Sequence, residues 1–185
     1  MTKTATNYAM AKDSTSIYNI WIGGSCDYGH KERTGAAAVI IEHGIDSLVR
    51  NTISDLHTTE FRMMLNLMIR VMEELPEGAD ITFMTNVAYL QNFDKMPAQQ
   101  SDNNSGDSGE NGATKTIGKS SAIKEKANTD LIQQCITQKR RHNSVGIKIV
   151  QYHKSPLLIE THNMARDAMN TMRRQYHHTK KASHS

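Results

Sequence analysis

IWIGGSCDYG (residues 20–29) begins as a strand and ends as a turn. Together with the residues before it, IYNIWIGG (17–24) is rich in β-branched and aromatic side chains, which suit a pleated, half-buried surface, and its closing glycines mark where the chain leaves the sheet. On the N-terminal side, MTKTATNYAMAKDSTS (1–16) is polar and aperiodic, and a disordered arm is expected. On the other side, GAAAVIIEHG (35–44) is a short apolar run bounded by glycines, a buried strand. DSLVRNTIS (46–54) is its hairpin partner across His43-Gly44. Three antiparallel strands come first.

The hydrophobic period then lengthens. Phe61, Leu65, Met68, Met72 and Leu75 recur at steps of three and four, which predicts an amphipathic helix over 58–75, capped by Thr58 or Thr59 and stopped by Pro76 and Gly78. ITFMT (81–85) is a fourth strand, followed by a short helical NVAYLQNF (86–93). A strand–helix–strand order of this spacing asks for a right-handed crossover onto a parallel strand, so the sheet is mixed. PAQQSDNNSGDSGENGATKTIGKSS (97–121) has almost no large apolar residue and many Gly, Ser, Asn and Asp, the composition of a flexible insertion. NTDLIQQCITQKRR (128–141) reads as a helix capped by Asn128 or Thr129, with Leu131, Ile132, Cys135 and Ile136 inward. VGIKIVQY (145–152) is the last strand. The terminal helix ETHNMARDAMNTMRRQY (160–176) carries Met164, Ala168 and Met172. The expected order is βββ-α-β-α-α-β-α.

Composition narrows the function classes. A chain of 185 residues suits one domain with appendages and buries a sizeable core. Its two cysteines, Cys26 and Cys135, lie far apart with no CxxC or Cys/His array, so neither a disulfide framework nor a zinc site is indicated. A reducing cytoplasm is expected. No apolar run approaches the ~18 residues of a membrane span, and the start lacks the apolar core of a secretory signal, so no membrane partner is expected. The net charge is only +3, but cations gather at Lys139-Arg140-Arg141, Arg173-Arg174 and Lys180-Lys181. Such mild basicity permits nucleic-acid contact, although a solvated helix face is the plainer reading. His142, His153, His162, His177, His178 and His184 form no paired ligand spacing on a helix, and no metal site is expected from them.

These segments, in this order, resemble the ribonuclease H type I family from about residue 17 to 175. IWIGGSC is similar to the family's first strand with its Asp-Gly-Ser-Cys ending, and TGAAAVIIE to its glycine-led second strand. TTEFRMML resembles Thr-Thr-Asn-Asn-Arg-Met-Glu-Leu at the first helix, and FMTNVAYL resembles Thr-Asp-Ser-x-Tyr. NTDLIQQ resembles Asn-x-Asp-Leu, and HNMARDAM resembles Asp-Glu-Leu-Ala-Arg. The resemblance implies an RNase H-like α/β fold: a mixed five-stranded sheet, three antiparallel strands then two parallel, flanked by helices. The domain would cover 17–176, with the insertion at 97–121, an arm at 1–16 and a basic, His-rich tail at 177–185.

Such nucleases use two magnesium ions clamped by acidic side chains, which align a water and stabilise the leaving oxygen. Hard cations of this kind need oxygen ligands, preferably charged. The resemblance places the four carboxylates on Gly23, Met64, Asn86 and His162, or Asn163 if the match slips by one. Glycine has no side chain, a thioether is a soft ligand, and an amide offers one neutral oxygen. Asp27, four residues beyond Gly23, and Glu60, one helical turn before Met64, are the nearest substitutes; a site rebuilt from them with Asn86 would require the ions to move by several ångströms. The family's loop histidine corresponds to His153, but QYHKSPLLIETHN lacks the Gly-His-x-Gly frame, so a surface loop residue is the simpler reading.

Of the positions that touch the hybrid in the family, the two asparagines fall on Glu60 and Phe61 and a polar contact falls on Ala88. A carboxylate near phosphates repels them. Ser25, Cys26, Thr59 and Arg62 do match the pattern, with turn structure, packing and bracing of the fold as their plainer roles. The expectation is a catalytically inactive RNase H-like module that binds an RNA–DNA hybrid or a structured RNA through Lys139, Arg140, Arg141 and the basic tail. Its weak point is aromatic stacking, because the single Trp21 lies within the first strand. The alternative is a protein-interaction or structural subunit with a soft, methionine-rich surface, although helix packing is the plainer reading of Met63, Met64, Met68 and Met72. A second alternative is an active hybrid ribonuclease with relocated ligands. No cofactor is expected unless that last reading holds, in which case the ion is Mg²⁺.

Overall fold

The computed structural model describes residues 16–45, 47–91 and 119–183. The expected arm therefore lies outside the described residues except for Ser16, and the expected insertion except for residues 119–121. The elements are β1 (Ile17–Cys26), β2 (Gly35–His43), β3 (Ser47–Asp55), α1 (Glu60–Glu74), β4 (Asp80–Thr85), α2 (Lys119–Lys139), β5 (Ser144–Ile149) and α3 (Pro156–Ala182), with 3₁₀ turns at Ala88–Gln91 and Tyr152–Lys154. The sheet runs β3-β2-β1-β4-β5. β2 pairs antiparallel with both β1 and β3, while β4 pairs parallel with β1 and β5. The expected mixed five-stranded sheet is present, and β1 is the strand where its antiparallel and parallel halves meet.

Alternation along β1 assigns each residue a face. Tyr18, Ile20 and Ile22 join Val39, Ile41, Ile81, Phe83 and Val145 in the main core beneath α1 and α2. Trp21, Gly23 and Ser25 point the other way, and the β1–β2 register puts Ala36 and Ala38 on that same face, under α3. Thr59 caps α1, its side chain accepting the Arg62 N–H at 3.3 Å. The helix then buries Met63, Met64, Met68 and Met72 among Leu65, Leu67 and Val71, so these methionines are core. Gly44 provides the positive φ (72°) that the β2–β3 turn requires.

Three elements depart from expectation. α2 begins at Lys119 rather than 128, because AIKEKA ahead of Asn128 is a run of good helix formers. Asn128 is therefore no cap; it is buried inside the helix and donates to the Tyr89 hydroxyl at 2.9 Å. β5 stops at Ile149, and Tyr152 opens a 3₁₀ turn. α3 starts at Pro156, a residue suited to the first helical turn, and runs on to Ala182 through most of the segment expected as a tail. Its buried column is Leu158, Thr161, Ala165 and Met169, one position away from Met164, Ala168 and Met172, which are half-buried. Hydropathy favours the methionines, but close approach to a sheet of Gly and Ala selects the side carrying Thr161 and Ala165. Among the described residues no helix is long and apolar enough to cross a membrane.

Phe83 lies at the centre of β4 and is fully buried. Phe83→Ala is expected to cost about 3–5 kcal/mol, read as a lower urea midpoint. A loss under about 1 kcal/mol would mean that the β4 face is not the principal core.

Candidate functional site

β1 and β4 run parallel and end side by side, with the first turns of α1 on one face of the sheet and α3 on the other. At this exit the two central glycines are in close contact with both helices. A Cβ on Gly23 would lie 3.0 Å from Thr161 Oγ1 and 3.1 Å from the His162 ring. A Cβ on Gly24 would lie 3.0 Å from Met64 Cγ and Sδ, and 3.2 Å from Glu60 Cβ. His162 Nε2 is hydrogen-bonded to Asn86 Oδ1 at 2.9 Å, and its ring sits edge-on to Tyr152 at 5.2 Å. The structure thus brings Gly23, Asn86 and His162 together at the carboxyl ends of adjacent parallel strands, where ligands of open α/β sheets bind, while Met64 meets the neighbouring Gly24 on the other face of β1. Asn163, the one-residue alternative, is exposed and bonds to Arg166 instead.

None of the four matched positions carries a carboxylate; the nearest one, Glu60, lies beside Met64 on the α1 side of Gly24. Burial pushes the His162 pKa below its usual value, opposed by a hydrogen bond with the Gly24 backbone. Magnesium does not fit this donor set. Gly23 offers nothing, Met64 is fully buried and soft, and the one amide oxygen of Asn86 is already bonded to the imidazole.

Of the two candidate substitute acids, Glu60 stands beside Met64 against Gly24 on the α1 side, and Asp27 is committed to the β1–β2 turn. Asp27 lies in the β1–β2 turn, where its carboxylate meets Arg173 Nη1 at 2.5 Å, His30 Nε2 at 3.3 Å and the Gly29 N–H at 3.1 Å. Burial pulls its pKa up, but Arg173, His30 and the Gly29 N–H outweigh that and hold it below the usual carboxylate range. Glu60 is half-buried at the start of α1, and burial pushes its carboxyl up. Burial, then the neighbouring Glu60 charge, likewise raises the Cys26 thiol and the Tyr28 phenol. Among the described residues no three His, Cys, Asp or Glu side chains stand close enough to hold a metal ion.

The matched contact positions act within the fold. Arg62 forks onto Asp130 at 3.2 and 3.0 Å, bracing α1 against α2. Thr59 is the α1 cap, Ser25 Oγ lies 3.5 Å from Met169 Sδ, and Cys26 Sγ donates to the Thr58 carbonyl at 3.5 Å. Phe61 packs on Tyr89, Ala88 is exposed in the first 3₁₀ turn, and His153 is exposed in the second. Lys139, Arg140 and Arg141 are not brought to the cluster. Arg141 pairs with Glu77 at 3.2 Å and its carbonyl accepts the Gly78 N–H, which puts this group at the entry of β4, roughly 17 Å of strand away from Asn86.

Sequence reasoning missed Tyr152 and Thr161, which pack on His162 and Gly23, and it missed the return of the α3 end to the β1–β2 turn. Arg173 reaches Asp27, and Lys180 comes within 3.9 Å of Glu32. The available signal was the uninterrupted helical composition of RRQYHHTKKA, which contains neither Gly nor Pro.

No protein-family model matches the chain, and no curated protein has a similar sequence. Solved structures do match. LC9-RNase H1, a type 1 RNase H with the type 2 active-site motif, is similar with a TM-score of 0.58 at 16% identity, over 87% of this chain and 75% of its own. RNase H1 from the halophilic archaeon Halobacterium salinarum NRC-1 is similar with a TM-score of 0.54 at 10% identity, over 82% of this chain and 98% of its own. The chain has an RNase H-like fold.

Gly23→Asp forces side-chain atoms against Thr161 and His162 and is expected to cost about 1–3 kcal/mol of stability. An unchanged urea midpoint would mean that α3 does not press on β1. For Glu60 the folded pKa stands above the unfolded one, so the folded state holds the proton more tightly and the ionised group costs stability at neutral pH. Glu60→Gln should therefore raise Tm at pH 7, with the gain vanishing below about pH 4, where the carboxyl is protonated in both states.

Proposed function

We propose that this chain is a non-catalytic RNase H-like module that binds nucleic acid, an RNA–DNA hybrid or a structured RNA, without cleaving it. The observation that carries the reading is the exit of β1 and β4, where His162 meets Gly23 and bonds Asn86 on one face, Met64 meets Gly24 on the other, and none of the four matched positions holds a carboxylate. Two-metal phosphodiester hydrolysis depends on anionic oxygens that hold both ions at the attacking and leaving groups. A neutral amide–imidazole pair and a thioether supply none. α3 also occupies the space that a side chain on residue 23 would need.

A nucleic-acid ligand is supported by the scaffold, since the solved structures of similar fold are ribonucleases H, and by the cationic excess of the chain. An enzyme with relocated ligands is disfavoured by Asp27, whose carboxylate is committed to Arg173 and His30. The docking-body reading rests on a groove of about 310 Å³ lined by Trp21, Met84, Val150, Pro156 and Leu157 on the half of the sheet next to α3. The two free cysteines suit a reducing cytoplasm.

The test pairs cleavage with binding. Incubation with an RNA–DNA hybrid and Mg²⁺ or Mn²⁺ is expected to leave the hybrid intact. The same hybrid, or a hairpin RNA, is expected to bind with an affinity that falls steeply between 50 and 200 mM salt, on the order of tenfold or more. Cleavage that disappears in Asp27→Asn or Glu60→Gln would establish a rebuilt active site and overturn the proposal. Binding to neither ligand would leave the groove at Trp21 as the functional surface.

A further inference from the structure

Cations in this chain are segregated. The β1–β2 turn (27–34) and the end of α3 (173–183) together carry six Lys and Arg against two carboxylates, whereas the rest of the chain carries sixteen against seventeen. The fold joins these two segments, distant in sequence, through Arg173 on Asp27 and Lys180 near Glu32. Both acids therefore serve to dock the helix end on the turn. Helical spacing then divides the α3 cations into two columns. Arg173, His177 and Lys180 form the column on the turn side, and Arg174, His178 and Lys181 form the adjacent one, which is exposed. Lys31 and Arg33 are exposed on the same turn.

An aromatic ring stands in the same place. Tyr28, the neighbour of Asp27, is 57% exposed. An exposed ring is a platform on which an unpaired base stacks, while cations alongside take the phosphates. The half-buried Glu60 charge, close to Tyr28 on the α1 side, steers a polyanion toward α3.

We propose that a single-stranded segment of nucleic acid binds across the β1–β2 turn and the C-terminal half of α3, with a base stacked on Tyr28 and its phosphates on Arg33, Arg174 and Lys181. This rests on the reading of the chain as a nucleic-acid module. It moves the interface from Lys139-Arg140-Arg141, at the opposite end of the sheet, to a surface that contains the missing aromatic.

The test is fluorescence anisotropy on the full chain, with fluorescein-labelled oligouridine and a labelled hybrid duplex as probes across a salt series. Wild type should bind oligouridine more tightly than the duplex. The triple variant Arg33→Ala/Arg174→Ala/Lys181→Ala should weaken oligouridine binding at least tenfold and flatten the salt slope by about 2. Tyr28→Ala should weaken it about tenfold, with Tyr28→Phe restoring it. All four positions are exposed, and unchanged urea midpoints would confirm that each variant is folded. Wild-type affinity in the triple variant would refute this surface while leaving the module reading intact, all the more if Lys139→Ala/Arg140→Ala abolished binding. Tighter binding of the duplex would refute the single-strand assignment. Binding of neither probe by wild type would defeat the module reading itself.

Discussion

Two adjacent glycines in the central strand set the limits for everything around them. Gly23 faces α3 and Gly24 faces α1, and each meets its helix at a distance where an added Cβ would already be crowded. A sheet strand carrying helices on both faces normally separates them by side chains; here the backbone itself is the contact surface. Thr161 and Ala165 of α3, with Ala36 and Ala38 of β2, belong to the same requirement for small groups where helix and sheet press together. The site follows from that closeness. A residue that must lack a side chain for packing cannot also supply a metal ligand.

The charges of the molecule are arranged around this packed centre. Asp27 draws the α3 end down onto the turn, Arg62 ties α1 to α2 through Asp130, and Arg50 holds the start of α3 to β3 through Glu160. Each pair is partly exposed and individually modest, since solvent screens it and two long side chains must be ordered. Their shared effect is geometric: they fix where the helices leave the sheet, and thereby where the surface cations stand. Glu60 is the exception, a carboxylate that burial disfavours in its charged form beside Gly24.

Periodicity made the strands, α1 and its methionine core legible in the residues, because a period of two or of nearly four reports which face is buried regardless of what buries it. The meeting of Gly23, Asn86 and His162, with Met64 on the other face at Gly24, followed from placing them on ordered elements. The inward column of α3 was not legible: Met164, Ala168 and Met172 look more apolar than Thr161 and Ala165, and only the three-dimensional closeness of β1 reverses that preference. The position of Lys139-Arg140-Arg141 was equally hidden. Charge clusters carry no periodic signature of where they lie, and a strand's length separates this one from the site. The segment HHTKKA (177–182) read as a polar tail because its cations and histidines have no apolar stripe; docking by an ion pair onto the turn does not need one.

The crowded α3 side of the β1 and β4 exit and the cationic end of α3 are then two consequences of one helix. Where α3 passes over Gly23 it brings Thr161 and His162 into the space a ligand would use, and the imidazole takes the oxygen of Asn86. Three to six turns further on, the same helix carries Arg173, Arg174, Lys180 and Lys181 to the β1–β2 turn. Substituting a single acid at residue 23 would not reopen the first region, because His162 and Thr161 would have to retreat and the helix they belong to is anchored at both ends by ion pairs. The placement of the surface cations is thus set by the docking of α3 on the sheet, through Glu160 at its start and Asp27 near its end.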